Sequence, residues 1–434
     1  MKPEKSIRDQ VDRFLQAVHL HDGVDAPRGG CVWATRKRLI VLDAEQHEAF
    51  NSIVALLRDY FGAAGEWSTN AVGENLRLAI IALTDPEPPD PKLRRKKALE
   101  ELFAAMKRQC VPWGAYFPVV GINQDCLPLE VGKVVLHPSS DALSKLLVLS
   151  DDQPSSTYPE ELRLKFRGSV RKQIDTHFGA SAWAHVRVKA AEGDSEAAHD
   201  LGIEELRLTL DVLNFYADIW RPSDYRSRVA LASEPDRTVL HSMVVVEGSE
   251  PMGVGEENHG PVDDVWIPAL DSDDARELAL DRVSSILAKE ATERSQVDDR
   301  LLAGLRWAGR ATATRRPDEA FLLFMMAIEA IIMGPNNRDS ILYKLLLRVA
   351  QVLNLPDAKD KNLLRDHLTR LYDLRSRLVH SGLADINGAD VESARSAAKA
   401  LTVELLKNAT FARMKSNKDL DNWFESRIMG ISTE

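Results

Sequence analysis

From Asp271 to the end of this chain, apolar residues recur at helical spacing through six successive segments, and no stretch alternates as a strand would. The segments lie at roughly 272–294, 297–312, 317–333, 339–353, 360–380 and 389–407. Several carry their own punctuation. Pro317 with Asp318 and Glu319 suits a helix start, and Gly334-Pro335 closes the same segment. Gly382 follows His380 closely, as a C-terminal cap would. Connections this short force neighbouring helices to pack antiparallel, so the expectation is a helical bundle.

Residues 1–270 read differently. Helical spacing covers 4–20 and 45–61, and "LRLAIIALT" (76–84) is a buried strand or a short helix. "DPEPPDPK" (85–92) is a stiff connection, and a helix with an exposed basic "RRKK" face follows over 93–109. Between 111 and 137, short strands are joined by turns, and helices follow near 159–178 and 201–220. Residues 226–249 read as a strand pair and 249–264 as a loop rich in Gly, Pro and acid. The expected fold class is therefore α+β, a mixed α/β region over 1–270 followed by an all-α domain over 271–434. The boundary falls at about 268–275, and the proline-rich 85–92 offers a place to subdivide the first part.

Charge follows the same division. The chain as a whole carries −10, which argues against general attraction to nucleic acid or an anionic membrane. Residues 275–434 hold 25 Lys and Arg against 22 Asp and Glu, a net of +3 that leaves −13 on residues 1–274. A polyanion is better received by the C-terminal part. Cys31, Cys110 and Cys126 are odd in number and widely spaced, which makes neither a disulfide framework nor a zinc pair and suits a reducing cytoplasm. The longest apolar run, "FLLFMMAIEAIIM" (321–333), is 13 residues with Glu329 inside it, too short to cross a bilayer.

One stretch concentrates chemistry. In "LYDLRSRLVHSG" (371–382), Leu371, Leu374 and Leu378 ask for a packed core, while Arg375, Ser376, Arg377 and His380 sit among them. Ser376 and His380 are four apart and share a helix face, whereas Arg375 and His380 are five apart, about 140° around the axis. Imidazole titrates near neutrality and moves protons, and guanidinium presents a planar fork suited to phosphate. Together they supply what RNA cleavage without a metal requires, a base for the ribose 2′-OH and a cation for the charge growing on phosphorus. The bland alternative is an Arg/His pair capping carbonyls and pairing with Asp373.

The stretch resembles the Arg-x4-His signature of HEPN domains, particularly the ApeA-like branch. "RLLAGLRWAGRA" (300–311) and "AFLLFMMAIEAIIM" (320–333) resemble that branch's preceding helices in the same order, and "ILYKLLLRVAQVLNL" (341–355) takes the place of the helix before the motif. The resemblance covers about 272–430. It implies a metal-independent endoribonuclease leaving 2′,3′-cyclic phosphate ends, without a cofactor. It also implies a homodimer whose two motifs share one cleft, with RNA as substrate. Arg375 would contact phosphate and His380 would be the catalytic imidazole, supported by Ser376, Arg377 and Glu329. The implied setting is a toxin or antiviral-defence effector, with residues 1–270 sensing a ligand that the sequence does not name. The alternative is a non-catalytic HEPN-like protein that binds RNA or nucleotides, or dimerises. One departure is visible: Ser381 intervenes between His380 and Gly382, where His-Gly is usual.

Other candidates weigh less. Glu329 reads as a core-edge carboxylate paired with an arginine, or as the group orienting Arg375. Arg306 and Trp307 read as surface charge and packing, with RNA contact as the functional alternative. "GVGEENHG" (253–260) lacks the Lys-Ser/Thr of a phosphate loop, and His19 and His21 have no partner at metal-ligand spacing.

Overall fold

The computed structural model describes residues 4–18, 31–34, 39–61, 67–83, 88–107, 110–139, 182–192, 194–220, 228–232, 239–245, 251–258, 264–333, 341–355, 357–382 and 385–431. The fold is α+β and mostly helical, and its contacts divide it into two compact units. One comprises Met1–Ala115 with Arg187–Glu204, the other Tyr116–Val186 with Glu205–Glu434.

Among the described residues, the first unit holds the whole of helices α1 (Glu4–Ala17), α2 (Ala44–Phe61), α3 (Thr69–Ala82) and α4 (Pro91–Met106). A two-stranded antiparallel ribbon, β1 (Cys31–Ala34) with β2 (Leu39–Leu42), precedes α2. Helical spacing brings Ile7, Val11, Phe14 and Leu15 of α1 onto one stripe, and these pack with Leu57, Leu76, Leu102 and Phe103 as a core. The ambiguous 76–84 stretch is helical: Ser68 caps α3 through its hydroxyl, and Asp194 accepts the Ser68 backbone N–H at 2.7 Å. On α4 the basic run is paired, Arg95 with Asp12 at 2.8 Å, and Arg94 donating to the Leu83 carbonyl.

A sheet has the strand order β4-β5-β6-β3-β7, from β3 (Cys110–Val120), β4 (Leu129–Val131), β5 (Val134–Pro138), β6 (Ala182–Ala191) and β7 (Ala230–Leu231). Neighbouring pairs β4–β5, β5–β6 and β3–β7 are antiparallel. The long helix α5 (Ser195–Trp220) follows β6, and β8 (Val239–Val245) pairs with β9 (Pro251–Asn258). The loop expected at 249–264 therefore contains β9. Expected helix 159–178 lies outside the described residues.

Helices α6 (Asp273–Glu277), α7 (Leu280–Ala288), α8 (Gln296–Thr312), α9 (Pro317–Ile332), α10 (Ile341–Val352), α11 (Ala358–Ser381), α12 (Gly388–Lys407), α13 (Ala409–Arg413) and α14 (Asn417–Ile428) complete the second unit. Helix α9 is central: Phe321, Phe324, Met325 and Ile328 are buried, with α8, α10, α11 and α12 against it. The boundary drawn at 268–275 marks a change of element type, and packing runs straight across it. Gly132, in the left-handed turn between β4 and β5, donates its N–H to Ser284 Oγ on α7 at 2.9 Å. Lys133 bridges Glu205 and Glu290, and the Tyr216 hydroxyl donates to the Leu278 carbonyl. No helix among the described residues is long and apolar enough to cross a membrane.

Candidate active site

Helix α11 begins at Asp357, whose carboxylate accepts the Asp360 N–H, and ends where Gly382 takes φ = 67° and donates its N–H to the Leu378 carbonyl. Between these caps the helix buries only Leu368, Leu371 and Leu374. That three-residue rhythm turns one narrow stripe to the bundle and leaves the flanks for other uses. Arg370, on an exposed flank, forms an ion pair with the buried Asp390 in the first turn of α12 and so ties the two helices together.

Arg375 lies beside that stripe. Its Nη2 donates to Glu329 Oε2 on α9 at 3.3 Å, while Nε stands 3.3 Å from Oε1 off the hydrogen-bond line. The pair is held more by charge than by a two-bond fork. The Arg375 guanidinium carbon sits 5.9 Å from the centre of the Tyr372 ring, one turn back. Both charged side chains are about three-quarters buried, at 26% and 23% exposure. Burial pushes the Glu329 carboxyl up from its ordinary range, and the nearby Arg375 charge opposes it.

The other residues of the motif take different positions. Ser376 is half-buried; Arg377, Val379 and His380 are exposed. Ser381 is the last helical residue, and its hydroxyl donates to the Arg377 carbonyl at 2.6 Å. The helix thus runs through His380 and Ser381, and the left-handed cap falls at Gly382. Of the residues singled out, the fold joins Arg375 to Glu329; His380 stands further along the same helix, at its solvent end.

Arg306 stands 3.9 Å from Asp211 on α5, and Trp307 lies under Arg310 with the guanidinium carbon 5.6 Å from the ring centre. His19 and His21 are outside the described residues, among which no group of three His, Cys, Asp or Glu side chains could hold a metal ion. The sequence did not single out a second cluster, in which Arg207, Arg228 and Arg310 line one cavity. Its members are up to about a hundred positions apart, and no local pattern links them.

Comparison of the chain with protein-family models, with curated proteins and with solved structures finds no match.

Proposed function

We propose that the C-terminal helices form a HEPN-type endoribonuclease that works as a homodimer without a metal, in a toxin or antiviral-defence setting. The observation that carries this reading is the pair of turns ending α11. An arginine is positioned there by a carboxylate from a neighbouring helix, and a histidine is left open to solvent at the helix end. Arg375 and His380 diverge around a regular helix, so one copy offers each group separately, and a second copy facing the first closes a cleft containing both. Exposed apolar side chains on the two helices favour such a partner: Val379, within the motif, is 52% exposed, Leu363 toward the other end of α11 59%, and Tyr343 on α10 65%.

In that cleft His380 takes the proton of a ribose 2′-OH, and the 2′ oxygen attacks the adjacent phosphorus. Arg375 balances the charge that grows on the phosphoryl oxygens. The 5′ oxygen leaves with a proton from the second copy's imidazole, giving a 2′,3′-cyclic phosphate and a 5′-hydroxyl. The test is incubation of the purified chain with single-stranded RNA in EDTA. Cyclic-phosphate ends are expected, and intact RNA would contradict the reading.

A second reading rests on the same ion pair. If Glu329 holds Arg375 for packing alone, the helices are a non-catalytic dimerisation or RNA-binding module, and RNA is bound but not cut.

A further inference from the structure

A cavity of about 330 Å³ opens in the second unit between α5, the start of β7, the end of α8 and α9. Arg207, Arg228 and Arg310 line it, and Asp211 is the one acid among its described lining residues. The arginines come from three separate elements, so local helix pairing does not account for their convergence.

The walls are fixed by backbone contacts. Gly309 on α8 packs so tightly on α5 that a Cβ there would collide with the Asp211 carbonyl oxygen. Asn214 clamps Val229, the residue before β7, accepting its N–H at 2.8 Å and donating to its carbonyl at 3.1 Å. That clamp holds Arg228, 6% exposed, whose Nη1 donates to the Ala313 carbonyl at the end of α8 at 2.7 Å. Arg310 reaches Asp211 with Nε at 3.0 Å, a single bond that leaves other N–H groups of its fork for a ligand. Leu210, Val229 and Leu323 add apolar wall. A rigid, partly apolar cavity lined by three guanidinium groups, with donors of Arg310 still open, suits a tetrahedral oxyanion attached to a small organic group.

We propose that this cavity binds a small phosphate monoester of about mononucleotide size. Preorganisation matters here because ordering costs are already met in the folded protein.

The experiment is calorimetric titration of the full chain with AMP, with inorganic phosphate, and with adenosine as the partner lacking the anion. Saturable one-to-one binding of AMP is expected, with adenosine at least tenfold weaker. Arg207→Gln, at the exposed edge, and Arg310→Gln are each expected to weaken AMP by about 10- to 100-fold. Arg375→Ala is expected to leave AMP affinity unchanged, which separates this cavity from the α11 site. Cooperative thermal unfolding without ligand shows that the variants remain folded. Absence of saturable binding by both AMP and phosphate overturns the proposal. So does equal affinity for adenosine, unchanged affinity in both arginine variants, or loss of binding in Arg375→Ala.

Discussion

Arg375 and Glu329, 46 positions apart in sequence, meet across α11 and α9 in a pair about three-quarters buried, with Nη2 and Oε2 at 3.3 Å. Such a pair stabilises only as a pair. Removing one partner leaves a poorly solvated charge, while removing both leaves a neutral contact. Arg375→Met and Glu329→Gln are each expected to cost about 1–2 kcal/mol, below the range for fully buried pairs. The double variant is expected to cost less than the sum. Denaturant unfolding of the four proteins measures this coupling.

The pH response follows from Glu329. Burial raises its carboxyl pKa in the folded state, so folding takes up a proton between the ordinary value of 4.5 and the raised one. This contribution to stability is fully present below the unfolded value and declines as pH rises through the folded one. Arg375 is the group that opposes the shift. Arg375→Met is therefore expected to steepen the loss of stability with rising pH in the weakly acidic range, and Glu329→Gln to flatten it. Unfolding midpoints measured across that range check both slopes.

Two glycines on α8 separate a backbone neighbour from a side-chain one. A Cβ at Gly309 meets the Asp211 backbone, whereas one at Gly304 meets Cγ1 and Cδ1 of the Ile331 side chain, which shifts more readily than backbone. Gly309→Ala is expected to destabilise by about 3 kcal/mol or more, and Gly304→Ala by about 1–2 kcal/mol. Thermal unfolding of the two variants ranks them, and equal costs would contradict the close approach of α5 and α8.

Gly382 tests the cap beside His380. Its φ of 67° suits glycine, and a Cβ there would touch nothing within 4 Å, so the cost of Gly382→Ala is conformational alone. About 1 kcal/mol is expected, with faster amide hydrogen exchange confined to the last turn of α11. Protection unchanged in that turn would show that the cap does not hold it.

Much of the bundle was legible because its helices carry their own ends. Pro317 stands at the start of α9 and Gly382 at the end of α11. The same kind of signal marked α14, where Ser416 and Asp419 form a reciprocal cap, but the expected series stopped at 407 and missed it. Strand β6, "AWAHVRVKAA", went unassigned although buried and less buried positions alternate along its second half. Strand β9 was hidden by its Gly, Pro and acid content, although it pairs antiparallel with β8 just before it in sequence. At the α11 site, the residue types and their helix came from sequence. Whether Arg375 turns toward Glu329 or toward His380 depends on where α9 passes, which no local pattern encodes.

The central claim is that Arg375 and His380 together cut RNA. The measurement is the rate of RNA cleavage in EDTA by wild type, Arg375→Ala and His380→Ala, at matched folding and oligomeric state. The account predicts a fall of about 10²–10⁴-fold for His380→Ala and a large fall for Arg375→Ala. Cleavage by both variants at the wild-type rate would contradict it.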